Sequence, residues 1–144
     1  MGRIVQRIYV DRAPADVFAF VTDVSKAPAW DETTIEASAS ETPLRPGTVV
    51  RAKRTLMGRA VETVGQVTEF TPPTRFGTRS EKPYRYTIQW TFEPERGGTS
   101  VTRDGNLETT GILALLSPIT RRVAARADQR SLERMKAALE ARAR

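Results

Sequence analysis

The chain has 144 residues, a formal net charge of +6, 39% hydrophobic residues and 28% charged residues. These values predict one globular domain over residues 1–144 with a substantial core, and they exclude a disordered chain. The chain contains neither Cys nor His, which excludes thiol nucleophiles, imidazole bases and the zinc or haem sites that need those ligands. Carboxylate-only magnesium or calcium sites survive this exclusion, but no spaced Asp/Glu loop appears, so we expect no metal and no cofactor.

The alternation of polar and apolar residues predicts one strand, two short helices, six strands and a long helix, in that order. Residues 3–10 form the first strand, with Ile4, Ile8 and Val10 on one face. A helix is predicted to start near Pro14, and residues 23–28 form a turn or a second short helix that Trp30 closes. Further strands are predicted at 33–40, 48–57, 60–70, 75–80, 84–92 and 99–107, with hairpin turns at residues 58–59 and 97–98.

The C-terminal segment from Ile112 to Arg142 is predicted to be one long helical segment. Its start signal is Ser117 followed by Pro118, because the serine can cap an orphan N–H and proline has none to lose. Two apolar sets recur at helical spacing, Ile112, Leu116, Ile119 and Val123 in the first half, and Leu132, Met135 and Leu139 in the second. The sets lie on nearly opposite faces, about 150° apart. We therefore predict that the first half covers a cavity and that strands hold the second half.

The element order and several short motifs resemble the START-like SRPBCC superfamily, in particular its bacterial polyketide cyclase/dehydrase-type branch. The matching motifs are residues 13–18 (APADVF), 22–23 (TD) with Trp30 downstream, Gly47, 69–73 (EFTPP), 98–99 (GT) and 132–140 (LERMKAALE). The resemblance implies an α+β helix-grip fold, in which a curved seven-stranded antiparallel sheet wraps around a long C-terminal helix. Two short helices follow the first strand, and a ligand cavity lies between sheet and helix. The resemblance brings no catalytic motif that matches residue by residue.

The strand at residues 84–92 alternates strictly with a period of two. One of its faces carries Tyr84, Tyr86, Ile88, Trp90 and Phe92. This face is either an ordinary apolar sheet face packed on a helix or the wall of a ligand cavity. The second interpretation rests on Tyr84, Tyr86 and Trp90, whose polar tips a dry core would have to satisfy. Trp30 is predicted to cap the short helices rather than to contact a ligand.

Arg103 lies on the predicted inner face of the last strand. If Val101 and Leu107 face inward, Arg103 does too, and a buried guanidinium must be paired. The partner would be an acid such as Glu62, Glu69 or Glu108, or a carboxylate or carbonyl of a ligand. The alternative is a bulge near Gly105 that turns Arg103 outward. An inward Arg103 beside the tyrosine tips would orient a polyketone and stabilise enolate charge, as an aromatase/cyclase requires.

The predicted C-terminal helix carries most of the positive charge. Residues 121–144 hold eight basic residues and three acidic ones, which leaves five of the six excess charges there. Arg122, Arg126, Arg130 and Arg134 follow one another at i, i+4 spacing. This row is either a solvated face or a patch for an anionic partner, such as a membrane surface or an acyl-carrier protein. Nucleic acid is not favoured, because no aromatic interleaving or known motif accompanies the charge.

Three functions follow from these observations. The first is binding, and by extension transport, of a hydrophobic small molecule such as a lipid or polyketide in an internal cavity. The second is a polyketide aromatase/cyclase-type activity, and the third is protein or membrane docking through the basic helix. The lack of His and of a matched catalytic motif favours binding and assigns no catalytic residue. The predicted ligand-binding residues are Tyr84, Tyr86, Ile88, Trp90, Phe92, Val101, Arg103, Ile112, Leu116, Ile119 and Val123.

The expected setting is the cytoplasm, with the chain as a monomer or weak homodimer. No apolar run approaches the roughly 18 residues that span a membrane. The N-terminal residues alternate and lack the apolar run of a signal peptide. The absence of Cys also agrees with a compartment in which disulfides do not form.

Overall fold

Strands and helices follow one another in the predicted order. The computed structural model describes residues 2–56, 58–82, 85–107 and 118–142, and the side chains of all of these except 2, 56 and 118–121. The strands are β1 (Gly2–Val10), β2 (Thr34–Ala39), β3 (Val49–Leu56), β4 (Arg59–Thr71), β5 (Arg75–Lys82), β6 (Tyr86–Glu95) and β7 (Gly98–Leu107). The helices are α1 (Pro14–Thr22), a short 3₁₀ turn (Val24–Lys26), α2 (Ala27–Trp30) and α3 (Pro118–Glu140).

The seven strands form one curved antiparallel sheet in the order β1-β7-β6-β5-β4-β3-β2. Strands β2 to β7 therefore form a meander. Strand β1 pairs with β7, so β1 and β2 are the two edge strands of the sheet. The turn between β6 and β7 joins Glu95 to Gly98 through Arg96 and Gly97, both with positive φ. That geometry suits a two-residue hairpin and places the turn one residue earlier than predicted.

The core lies between one face of the sheet and the helices. Leu132, Met135 and Leu139 of α3 are at most 1% exposed, and their spacing puts them on one side of the helix. Phe18 of α1 packs edge-to-face on Phe92, with ring centroids 5.4 Å apart. The second half of α3 is therefore held against the sheet and α1, as predicted, because its apolar side chains belong to the same core.

Polar contacts fix the C-terminal end of α3 to the loop after β1. Lys136 donates to the carbonyl of Tyr9 and to Glu140, and Glu140 in turn accepts the backbone N–H of Asp11. Arg12 donates to the carbonyl oxygens of Glu140 and Arg142. Nearer its start, α3 accepts a hydrogen bond at the carbonyl of Ala125 from Gln6 of β1. These contacts set the height and tilt of α3 over β1 and β7.

The described part of the predicted long helix is α3, Pro118–Glu140. Residues 112–117, which were predicted to extend it, lie outside the described part of the chain. Within the described residues, no helix has the length and apolar character required to cross a membrane.

Candidate functional site

The inner face of β6 carries the aromatic side chains that the alternation predicts. Trp90 and Phe92 are 4% and 1% exposed and their rings stack with centroids 6.2 Å apart. Trp30, at the end of α2, packs edge-to-face on Trp90 at 5.8 Å, so it joins this face as well as closing the short helices. Tyr86 and Ile88 continue the face and are half-buried. The result is an aromatic wall, Trp30, Ile88, Trp90 and Phe92, on the helix side of the sheet.

Arg103 faces inward beside this wall. It pairs across the β6–β7 ladder with Trp90, and its guanidinium lies over the Trp90 ring, 5.7 Å from the centroid. One guanidinium nitrogen lies 3.3 Å from a carboxylate oxygen of Asp128, and the two side chains are 15% and 24% exposed. Val101, its neighbour on the same face, is fully buried.

The partner of Arg103 differs from the one that the sequence predicts. Glu69 faces the other side of the sheet, where it accepts from Gln89 and pairs with Arg75, and Glu108 lies outside the described residues. The described contact of Arg103 goes to Asp128 of α3 and not to Glu62 or Glu69. The signal that could have found Asp128 is its spacing, because it precedes Leu132 by four residues and Met135 by seven and so shares the buried face of α3.

A second ion pair lies next to the first. Arg54 of β3 donates to Asp31 at 3.1 Å and to the hydroxyl of Thr34 at 2.9 Å. Asp31, which directly follows α2, also accepts from the backbone N–H and the hydroxyl of Thr33. Asp31 interacts electrostatically with Arg103 and with Asp128. We call these four side chains, Asp31, Arg54, Arg103 and Asp128, the charge cluster.

The two carboxylates of the charge cluster titrate in opposite directions. Burial raises the pKa of Asp128, and the negative charge of Asp31 adds to this rise, against the opposing attraction of Arg103. Burial also acts to raise the pKa of Asp31, but Arg54, the two donors of Thr33 and the more distant Arg103 outweigh it and bring that pKa below its ordinary value. The two acids therefore differ mainly in how many donors hold them.

The indole of Trp30 adds a polar group to this site. Trp30 is 5% exposed, and among the described residues its indole N–H has no hydrogen-bond partner. Nearby, the hydroxyl of Ser131 accepts from the backbone N–H of Glu32 and donates to the carbonyl of Ala127, so it is satisfied. No group of three or more acidic side chains in the described ranges has the geometry to hold a metal ion.

The remaining predicted lining residues divide into two sets. Tyr84, Ile112 and Leu116, and the side chain of Ile119, lie outside the described part of the chain. Val123 is described and is 59% exposed. Its placement differs from the buried lining that the sequence predicts, because α3 turns the nearly opposite side, with Leu132 and Met135, towards the sheet.

The arginine row on α3 is exposed along its length, but its members differ in their contacts. Arg130 makes two hydrogen bonds to Glu32, at 2.7 and 2.9 Å, and Arg134 points at the carbonyl of Ala29 at 3.4 Å. Arg122 and Arg126 have no ion-pair partner among the described residues. Two of the four charges are thus directed at the segment around α2, and two remain available on the surface.

Two clefts open on the other side of the sheet, away from α3. Their volumes are about 270 and 350 Å³, and both are lined by Thr87 and Asn106. The charged residues around them are already paired, Arg3 with Asp104 and Arg85 with Glu81. These clefts therefore contrast with the aromatic wall, which is apolar with a single group of charges.

Comparisons with known proteins identify the family and the fold of the chain. A family described as polyketide cyclase/dehydrase and lipid transport matches residues 1–140. A START superfamily protein from Mycobacterium smegmatis superposes with a TM-score of 0.80 at 13% identity, covering 96% of this chain and 97% of that one. A protein from Thermus thermophilus gives 0.73 at 21% identity, with coverages of 96% and 94%.

A third structure adds a two-domain relative. The di-domain ARO/CYC StfQ of the steffimycin biosynthetic pathway gives a TM-score of 0.69 at 17% identity, covering 94% of this chain and 49% of StfQ. No curated protein matches the sequence. At these identities the structures show the fold alone, and they confirm the predicted helix-grip arrangement.

Proposed function

The chain belongs to the polyketide cyclase/dehydrase and lipid transport family, and from this membership and its inner face we propose that it binds a hydrophobic small molecule between the sheet and α3. The ligand class is a lipid or polyketide with a long or flat apolar body. The wall formed by Trp30, Ile88, Trp90 and Phe92 would contact that body, and the charge cluster would contact a polar end.

The observation that carries this proposal is the composition of the inner face. Ligand sites in proteins are mostly apolar and contain a few polar groups that fix orientation. Here three buried aromatic rings adjoin one inward guanidinium, and the buried indole N–H of Trp30 lacks a described partner. A sheet face that serves only as core has no need for these polar groups, because burying each of them costs free energy.

Tryptophan fluorescence tests the proposal directly. Trp30 and Trp90 are the two tryptophans of the chain, and both lie at the proposed site. We expect fatty acids or flat polycyclic compounds to quench their emission in a saturable way. The affinity should fall in Trp90→Ala, while the matched variant Thr87→Ala, on the outer face of the same strand, should bind as the wild type does. Equal affinity in a folded Trp90→Ala variant would contradict the site.

The fold of Trp90→Ala needs its own measurement. Removing a buried tryptophan side chain costs about 3–5 kcal/mol of stability. Circular dichroism and urea unfolding of this variant would establish that it is folded at the temperature of the binding assay. If it is not, Ile88→Ala, which shortens a half-buried member of the wall, gives the same comparison at a smaller loss of stability.

A polyketide cyclase-type activity is the second candidate, and the Arg103–Asp128 pair favours it. Because the pKa of Asp128 is raised, it is better suited than an ordinary aspartate to hold a proton for a carbonyl oxygen. Arg103 would stabilise the negative charge that develops on an enolate. Incubation with a short β-polyketone thioester should then give a ring product with a new ultraviolet absorption, and Asp128→Asn should abolish it. Binding of the same compound without any change in its spectrum would leave the binding function alone.

A further inference from the structure

We propose that the charge cluster makes this site selective for apolar ligands that carry a carboxylate, and that binding such a ligand takes up one proton at Asp128. This inference rests on the proposed function, because it names the polar end of the ligand bound there. It adds a ligand class and a pH dependence to that site.

Arg103 is the group that would receive the ligand carboxylate. A guanidinium has five N–H donors in a fixed planar fork, which suits a carboxylate. Among the described residues Arg103 uses that fork for a single ion pair, at 3.3 Å to Asp128. It also lies over Trp90 in the aromatic wall, so an apolar body on the wall would bring its polar end to this guanidinium. The indole N–H of Trp30, which packs on the same ring, is a further donor.

Charge balance is the reason that a proton should follow the ligand. The four side chains of the charge cluster carry two positive and two negative charges, so the cluster is neutral as it stands. A bound carboxylate would leave one uncompensated negative charge in a partly buried region, where such a charge is costly. Protonation of one carboxylate restores neutrality. The proton comes from solvent and forms an O–H bond on the carboxylate, and no bond forms between the ligand and the protein.

Asp128 is the carboxylate that would take the proton. Asp31 is held by Arg54 at 3.1 Å and by two donors of Thr33, whereas among the described residues the ion-pair contact of Asp128 is the one to Arg103 at 3.3 Å. A ligand that shares Arg103 would weaken that one contact. The raised pKa of Asp128, which burial causes, agrees with this choice, and the lowered pKa of Asp31 agrees with Asp31 staying ionised.

Among the charged side chains that face Asp128, Asp31 is the other acid, and the donors already named hold it in its ionised form. From the packed elements, β7 presents Arg103, β3 presents Arg54, and the residue after α2 is Asp31. Strand β1 presents the neutral Gln6 to the adjoining turn of α3. Glu32, the next acid along the chain, is paired with Arg130 on the surface, and the pKa of Glu32 is lowered by that hydrogen bond.

Two matched ligands and two buffers test the inference. Dodecanoate and dodecan-1-ol have the same chain and differ in the terminal group. Titration calorimetry of each ligand at pH 7, in two buffers with different ionisation enthalpies, counts the protons taken up. We expect about one proton for dodecanoate and none for dodecanol. The dissociation constant of dodecanoate should also rise by up to about tenfold per pH unit between pH 6 and 8, while that of dodecanol stays constant.

Variants then assign the proton to its residue. Asp128→Asn should bind dodecanoate without proton uptake and without pH dependence, and Arg103→Gln should lose the preference for dodecanoate over dodecanol. Asp104→Asn, at the neighbouring outward position on β7, is the matched control and should behave as the wild type does. The two-buffer measurement on the wild type needs no variant, so it decides the proton uptake even if a variant fails to fold.

The possible results of these experiments distinguish a failure of this inference from a failure of the proposed binding function. If neither ligand binds, the proposed binding function is wrong. If both bind and dodecanoate takes up no proton, the function stands and this inference is overturned. Proton uptake that persists unchanged in a folded Asp128→Asn variant would likewise overturn the assignment to Asp128.

Discussion

At the scale of single residues, Asp31 and Asp128 show how local donors decide the charge of a buried acid. Both lie beside the aromatic wall and both are desolvated, yet their pKa values move in opposite directions. The number of described donors accounts for this difference, since Asp31 has an arginine and two contacts from Thr33, and Asp128 has one contact at 3.3 Å to Arg103. Two neighbouring aspartates can thus differ in charge state, with one that stays ionised and one that accepts a proton more readily.

Asp128 should therefore stabilise the fold more at acid pH than at neutral pH. Its folded pKa is raised, so its contribution is fully present below the ordinary aspartate pKa of about 3.9 and is lost as pH rises through the folded pKa. Asn does not titrate. We expect the free energy of unfolding of the wild type, relative to Asp128→Asn, to fall across that window and then to stay level. Urea unfolding of both proteins from pH 3.5 to pH 7.5 measures it.

Asp31 provides the comparison of opposite sign. Its folded pKa is lowered, so its contribution is present above about 3.9 and is lost as pH falls through the folded pKa. Relative to Asp31→Asn, the wild type should lose stability on acidification and should show no trend between pH 5 and 7. If both variants gave the same trend, the division of roles within the charge cluster would be wrong.

At the scale of elements, α3 has two halves with different surroundings. Residues 132–140 are fixed by three buried apolar side chains and by the contacts of Lys136 and Glu140 to the loop after β1. Residues 122–124 are exposed, and the next residue, Ala125, accepts a hydrogen bond at its carbonyl from Gln6 of β1. The described apolar anchoring of α3 to the sheet therefore lies in its second half, and the Asp128 contact to Arg103 lies in its first half.

The exposed arginines in the first half of α3 determine how strongly the protein should bind an anionic membrane surface. Because Arg130 is paired with Glu32, the patch reduces to Arg122 and Arg126, which contribute on the order of 1 kcal/mol each at an anionic surface. We expect weak co-sedimentation with anionic liposomes at low salt, its loss at high salt, and its loss in the double variant Arg122→Glu, Arg126→Glu. Neutral liposomes are the control. Binding that ignores lipid charge would make this row an ordinary solvated face.

At the scale of the whole molecule, the sequence predicts the order of elements closely and long-range pairing poorly. The period of two in residues 84–92 and the helical spacing of Leu132, Met135 and Leu139 are local patterns, and β6 and the buried side of α3 follow from them. The partner of Arg103 depends on how α3 is rotated over the sheet, 25 residues further along the chain. The local alternation places Arg103 inward, but no local pattern gives that rotation.

The exposed position of Val123 has the same cause. Its spacing predicts an apolar face, but a helix has only one side to turn towards the sheet, and Leu132, Met135 and Leu139 occupy that side. The pairing of Arg130 with Glu32 also depends on the placement of the loop after α2. The order of elements thus follows from local periodicity here and the helix-grip fold from the family resemblance, whereas site chemistry follows from contacts between distant segments.

Ligand binding should stabilise the whole fold, because the proposed site lies between the sheet and α3 and exists only when both are assembled. At a free ligand concentration one hundred times the dissociation constant, the gain is about 2.7 kcal/mol, which for this chain length is a rise in Tm of roughly 9 °C. Differential scanning fluorimetry with dodecan-1-ol measures this rise in Tm.

Two variants provide the controls for this measurement. Thr87→Ala should keep the full rise in Tm and Trp90→Ala should lose most of it, whatever the starting Tm of that variant. The size of the shift, and not the starting Tm, therefore separates loss of binding from loss of stability. An undiminished shift in Trp90→Ala would mean that the ligand binds elsewhere.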